Sequence, residues 1–598
     1  MTRDYDSAGY VVHSLLRAGN WPFLVVAFGV TCAAAVTALL LRKSEDGRRL
    51  LARVNSADRL CYRAMVALAV AYFLIYSYLS VQRYYKLLCG NWDLGIFESL
   101  FTNALHGKFF VDYRGPFDHF QPGAIVFLPF YALWPDGRMI LILQTAVLTL
   151  AVWPLYLFAK EVSGRVLVGA LVGILYLLYP FLTAGNLYDF HALSLSPLFF
   201  FSMLLFLVRR REGLYWLFML FLLSAKESEA IIVFGIGLYL LSQRKLRLGA
   251  LTVAAALAWG YLSTFVLMPA ITGQTFRHLG RYEGLGDWVT STFETYGVGL
   301  PVAAYVARVI AVLLFILVPI GFLPLRRFWP FVLIFGPTFA VNMVSKVGFQ
   351  NLFWGHYGIT AVSAIFAASV FATRDIKGLE DKAKPSALPL FLIVIAGLSN
   401  LFLSFPANHR VAFPSARLEM SKSFNVMSIP LPVTAARRSF FSVAKDERFI
   451  MDAAGLLPAG STVAVQNDIG YLLVNRCRTV DLSETVTADY YLLYELREDG
   501  FTAHQTYERL YERLGGDPDT VCFLVTNPSG HKWGTIFIYA KRDKWFEFYT
   551  NALQAAAREP DNPSYRMAVT GIQKMMGIRG PDAAGAGAPE TRGAATAE

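Results

Sequence analysis

A polytopic α-helical membrane protein of about twelve transmembrane helices, with a C-terminal extracytoplasmic α/β domain, is the fold class this sequence predicts. Three observations predict it. Of 598 residues, 55% are hydrophobic and only 16% are charged, whereas a water-soluble protein carries roughly 45–50% apolar and about 25% charged residues. The formal net charge of +11 is unevenly placed: residues 1–405 hold 33 basic and 21 acidic side chains, residues 406–598 hold 21 and 22. Long apolar runs also stop near residue 405, where a different pattern begins. A basic balance confined to the apolar part points to cytoplasmic membrane loops and argues against nucleic acid as a partner.

The elements follow in order. A bilayer core takes about 20 apolar residues per helix. Runs that reach or approach this length fall at 21–41, 62–82, 138–159, 164–184, 191–208, 248–270, 303–325, 329–345, 358–373 and 386–405. Residues 213–242 are apolar except for Lys226, Glu227 and Glu229, and read as two short helices meeting in a polar turn. The run 123–134 is too brief to cross and reads as a partial helix. The first run, Trp21 to Leu41, has no small-residue cleavage site and reads as a spanning helix rather than a signal peptide.

Loop charge sets the orientation. Residues 42–63 carry seven Lys or Arg and face the cytoplasm; every second connection thereafter is basic, through Arg374 and Lys384. The loops 83–122, 185–190, 226–229, 271–302 and 346–357 then face outward, as does everything after residue 406. The protein is thus expected in the cytoplasmic membrane, multi-pass. Beyond residue 406, short β-branched or aromatic stretches (461–466, 478–482, 490–496, 521–526, 535–540) are separated by turn residues, with helical patterns near 446–456, 503–514 and 544–557. The expected organisation is 1–61, an extra N-terminal transmembrane helix with its basic loop; 62–405, the transmembrane domain; 406–545, the extracytoplasmic α/β domain; and 546–598, a helical then disordered tail. The five cysteines show no metal-ligand spacing. Cys477 and Cys522 would be placed to pair only if the tail lies outside the cell and they meet.

Ionisable groups at membrane depth are functional candidates because lipid does not solvate them. The outward turns carry five such clusters: Asp93 with Glu98; Asp118-His119; Asp189-Phe190-His191; Lys226-Glu227 with Glu229; and His356-Tyr357. Each also has a plainer reading. Asp93 suits a helix N-cap, the Asp–His pairs suit local loop hydrogen bonds, Lys226 and Glu227 suit a structural ion pair, and His356 suits an interfacial position. Their gathering on one face favours a shared cleft. A carboxylate there can act as general base on an acceptor hydroxyl, and Lys and His can offset the charge of a departing phosphate. No GxGxxG, Walker A, HExxH or GxSxG pattern is present.

Asp93-Leu94-Gly95-Ile96-Phe97, Asp118-His119-Phe120, Tyr188-Asp189-Phe190-His191, Lys226-Glu227 and His356-Tyr357, with Leu457-Pro458-Ala459-Gly460-Ser461 and Ala488-Asp489-Tyr490-Tyr491 in the tail, resemble the membrane-protein family called domain of unknown function 2079. The resemblance covers roughly 65–545. That family is similar to the GT-C superfamily of integral-membrane glycosyltransferases, which implies a GT-C-like transmembrane domain, a polyprenyl-phosphate-linked sugar as donor and an extracytoplasmic acceptor (glycan, lipid or protein). It implies a catalytic role for Asp93. Asp118, His119, Asp189, His191, Lys226, Glu227, His356 and Tyr357 become expected substrate-binding residues. Many GT-C enzymes carry two acidic residues close together in the first outer loop; here Leu94 and Gly95 follow Asp93, and Glu98 is the next carboxylate, so a divalent metal is left open. The competing expectation is a multi-pass transporter or lipid flippase using the same ionisable residues; a ligand sensor with membrane anchors is the third.

Overall fold

The structure, a computed structural model, describes residues 21–282, 309–310, 312–345, 350, 353, 355–374, 376, 384–403, 445–494, 504–525 and 536–575. The expected boundary at 405/406, Trp354, the distal part of the 271–302 loop and the Ala/Gly-rich end from Pro581 lie outside the described residues. The chain forms two compact units, residues 1–443 and 444–598.

The first unit is helical. Its main helices are α1 (Trp21–Lys43), α2 (Glu45–Asn55), α3 (Asp58–Tyr85), α4 (Ile96–Leu105), α5 (Gly137–Ser163), α6 (Val166–Leu177), α7 (Pro180–Leu187), α8 (Ala192–Val208), α9 (Glu212–Ala225), α10 (Ala230–Ser242), α11 (Leu246–Thr272), α12 (Phe328–Met343), α13 (Tyr357–Ala372) and α14 (Leu388–Leu403). Among the described residues α3, α5 and α11 are long and apolar enough to cross a membrane by themselves, and α6 with α7 makes a fourth if counted as one bent span. Pro122–Leu133 and the helices α8, α9, α12 and α13 are shorter apolar segments of 10–17 residues.

Two breaks shape the site. α6 and α7 meet at 46°. Tyr179, the residue before Pro180, is extended at φ −75°, ψ 124°, the conformation that proline imposes on its predecessor. Between α9 and α10 the helix stops at Lys226, extended at φ −166°, ψ 150°, and resumes after one 3₁₀ turn, Glu227–Glu229. Much of the core is an apolar cluster that includes Met65, Val152, Leu171, Phe200, Ile236 and Phe366. Close helix approach relies on small residues: a Cβ on Gly235 would lie 2.7 Å from the Leu333 carbonyl oxygen. Asp58 accepts from the Leu167 N–H at 2.8 Å, satisfying a donor that the first turn of α6 cannot satisfy itself.

The second unit holds a five-stranded sheet of order β4-β3-β5-β7-β6, counting the short hairpin Val111–Asp112 and Gly115–Pro116 in the first unit as β1 and β2. Its strands are β3 (Thr462–Val465), β4 (Arg478–Asp481), β5 (Tyr490–Tyr494), β6 (Thr520–Val525) and β7 (Ile536–Lys541). β3 pairs parallel with β4 and β5; β7 pairs antiparallel with β5 and β6. Helices α15 (Lys445–Gly455), α16 (His504–Gly516), α17 (Trp545–Arg558) and α18 (Pro563–Met575) belong to this unit, and α18 packs on α15, α17 and β6. All five cysteines are free. The sheet order explains why Cys477 and Cys522 do not pair: Cys477 immediately precedes β4 at one edge and Cys522 lies in β6 at the other. Four strand spacings of about 4.8 Å separate those edges, far beyond the ~7 Å Cα separation a disulfide tolerates.

Candidate functional site

The site grows from the end of α3. Arg83 is 1% exposed. Its Nη2 donates to the Leu88 carbonyl at 2.5 Å and to Asp189 Oδ1 at 3.3 Å, while Asp189 Oδ2 accepts from the Gly90 N–H at 2.6 Å. A left-handed residue, Leu87 (φ 54°), turns the chain there. Asp189 therefore pins the segment after α3 against the 186–191 loop. Gln144 of α5 fixes that loop from the other side, donating to Asn186 O and Asp189 O and accepting from the His191 N–H at 2.9 Å.

Pinned in this way, the chain makes a π-helical turn over Asn91–Gly95 before α4 begins. Such turns have one residue more than an α-turn and recur at functional sites. Asp93 sits in it. Its Oδ2 accepts from the Tyr188 hydroxyl at 3.0 Å, and its Oδ1 lies 3.3 Å from His191 Nε2. His191 Nδ1 faces the Asp189 carbonyl oxygen at 3.0 Å; a carbonyl only accepts, so this nitrogen carries a proton. The helix-capping reading of Asp93 fails: Gly95 precedes α4 and no side chain caps it. Glu98 does not pair with Asp93 either, because its Oε1 accepts from the Gly137 N–H at 3.0 Å, at the start of α5.

His356 completes this first cluster. Its ring stacks on His191 with centroids 3.7 Å apart and lies 4.0 Å from the ring of Tyr357. It is brought there by Gly355, whose φ of +56° suits glycine and whose missing Cβ would meet the Tyr188 ring at 2.8 Å. Among the described residues, His356 Nδ1 is buried without a hydrogen-bond partner.

Asp118, His119 and Glu227 gather in a second cluster. His119 Nδ1 lies 2.8 Å from Glu227 Oε1, and Glu227 Oε2 accepts from the Phe120 N–H at 3.2 Å. The His119 ring lies parallel to His278 with centroids 4.2 Å apart. Asp118 is 3.5 Å from both His278 Nε2 and Arg114 Nη2, and 3.7 Å from Arg277 Nη1. One ligand atom from each of Asp118, His119 and His278 lies within 4.8 Å of the others, a grouping that can hold a metal ion. Burial, followed by the neighbouring Lys226 cation, pushes His119 well below the ordinary imidazole range, and burial does the same more mildly to His278. Burial would raise Asp118, but contact with His278 and the charges of His119 and Arg114 outweigh it and hold the carboxyl low.

Lys226 is also buried, and its charge acts on Glu227, Glu229 and Asp118 as well as on His356. Arg281 stacks over the Tyr357 ring at 5.7 Å. Glu229 is braced rather than open, accepting from Ser196 Oγ and, at 2.6 Å, from Thr360 Oγ1.

A family model described as Predicted membrane protein (DUF2079) matches residues 83–477. The chain belongs to that family. The match begins at Arg83, takes in every residue of both clusters, and ends before β4, so it is shorter than the 65–545 expected from the resemblance. No curated protein matches the sequence.

Eight of the nine expected site residues thus fall into two groups, and the charge of the ninth, Lys226, acts on members of both. Arg83, Gln144, Tyr188, His278 and Glu229 complete these groups but were not among the nine. Arg83 and Gln144 were signalled by being strongly polar at the end of, or within, apolar runs. His278 had no signal beyond its place in the loop that begins at residue 271.

Proposed function

We propose that this protein is an integral-membrane glycosyltransferase of GT-C type, moving a sugar from a polyprenyl-phosphate carrier to an extracytoplasmic acceptor. On this reading about twelve helices cross the cytoplasmic membrane, and both clusters and the C-terminal unit face outward. The observation that carries the reading is the Asp93 carboxylate, held between the Tyr188 hydroxyl and His191 Nε2 and braced from behind by the buried Arg83–Asp189 pair. Asp93 takes the proton of an acceptor hydroxyl as its oxygen bonds to the anomeric carbon; the bond from that carbon to the phosphate oxygen breaks, and the lipid phosphate leaves with its charge offset by Lys226 and Arg281. Membranes carrying Asp93→Asn are expected to lose transfer from a radiolabelled lipid donor while the protein keeps its detergent melting temperature. Undiminished transfer would refute the assignment.

A transporter or flippase is favoured by one observation, the two broken helix pairs α6–α7 and α9–α10, since interrupted helices line many transport sites. Reconstituted vesicles separate the readings: lipid-sugar flux with no covalent product would support transport.

A further inference from the structure

Asp118, His119 and His278 carry more than the substrate-binding role suggested by their sequence. We infer that they form a divalent cation site of the zinc type, with Glu227 as its supporting carboxylate.

Four features converge on this. Nitrogen and oxygen donors in the combination His, His, Asp suit Zn²⁺ and its neighbours Co²⁺ and Mn²⁺, rather than Ca²⁺, which prefers six or more oxygens. The donor atoms already lie within 4.8 Å of one another, so modest side-chain rotation brings them to a common ion. His119 presents Nδ1 to Glu227 Oε1 at 2.8 Å, leaving Nε2 for a metal; a carboxylate behind the ligand ring is the usual arrangement at protein metal sites. Glu227 is itself held by the Phe120 N–H. Finally, His278 Nε2 is a buried atom whose near neighbour is Asp118 Oδ2 at 3.5 Å, so two donor atoms of the group already face one another.

The surrounding charge sets the limits of the site. Arg114 is engaged by Asp112, with Nη2 2.7 Å from Oδ2, and reaches Asp118 only at 3.5 Å. Arg277 is mostly exposed and can swing away. Lys226 and Arg281 add positive potential near His119, which weakens cation binding and makes an anionic partner welcome. Three protein ligands leave a coordination position open, and a water or an anionic oxygen is the natural occupant. Metal binding here does not depend on sugar transfer.

The test is metal content and affinity of the full chain in detergent. After chelation and reloading with Zn²⁺ alone, wild-type protein is expected to retain about one ion, measured by mass spectrometry of the metal. Reloading with Co²⁺ should give the visible absorption of a nitrogen- and oxygen-ligated ion. His278→Ala and the pair His119→Ala with Asp118→Asn should abolish stoichiometric retention. Glu227→Gln, which leaves all three ligands in place, should weaken binding about 10- to 100-fold. Asp93→Asn should bind as wild type does. Monodispersity and melting temperature without metal establish that each variant is folded. Absence of a stoichiometric ion in the folded wild type, or equal retention by the ligand variants, would overturn the site.

Discussion

The Asp93 and Asp118 clusters are built on opposite plans. Asp93 sits in a turn whose every support is internal: Tyr188 and His191 hold its two oxygens, Gln144 holds His191, and the Arg83–Asp189 pair holds the turn. Around Asp118 the frame is looser. Its neighbours come from the 106–121 and 271–282 loops, and its arginines are partly or mostly exposed. The contrast teaches where a ligand is needed. A group whose hydrogen bonds close on themselves is ready before anything binds, as a reacting carboxylate should be. A group framed by loops and exposed arginines keeps room to rearrange around a bound partner.

Each prediction tests that contrast, beginning with the largest effect. Asp93→Asn should lower sugar transfer by about 10²- to 10⁴-fold, the range of a lost general base, with the melting temperature kept; a fall below tenfold would break the idea that this carboxylate reacts. Arg83→Met should destabilise the protein by about 3–5 kcal/mol by leaving Asp189 charged and alone. Detergent denaturation would measure this, and Arg83→Met with Asp189→Asn should recover part of the loss. No comparable cost is expected for Arg277→Met, whose side chain is 65% exposed. Gly355→Ala should disturb both stability and transfer, by about 1–3 kcal/mol in stability, because the added methyl collides with Tyr188 and the backbone is left-handed. Tyr188→Phe should have the smallest effect, a loss of about 1 kcal/mol for one hydrogen bond, read as a transfer rate several-fold lower.

Legibility in the sequence followed the physics of each signal. The break at Lys226 could be read because three ionisable residues interrupt an otherwise apolar stretch, and the structure stops the helix at Lys226 itself. Strands β3 and β4 begin within a residue of their sequence patterns, where alternating Val, Thr and Ala are bounded by Pro-Ala-Gly and Asp. The pairing of residues distant in the chain was less accessible. Arg83 meets Asp189 across 106 residues, and His119 meets Glu227 across 108; helix packing decides these contacts, and no local period encodes it. The π-helical turn at Asn91–Gly95 was equally hidden, because one extra residue per turn leaves no compositional mark. His278 lay in a stretch rich in Arg that looked like an ordinary surface loop. Its value appears only when the 106–121 segment is laid beside it.

The interruption at Lys226 has a consequence for the surrounding lipid. α9 and α10 contain 14 and 13 residues, and at 1.5 Å per residue each rises only about 20 Å, whereas the hydrocarbon layer is ~30 Å thick. In a bilayer, a hairpin of this length would bring its tip, with the buried ammonium and two carboxylates, about 10 Å short of a full crossing. Under the proposed function, the polar end of a lipid carrier would have to reach below the headgroups to meet these side chains while its long tail stays in oil.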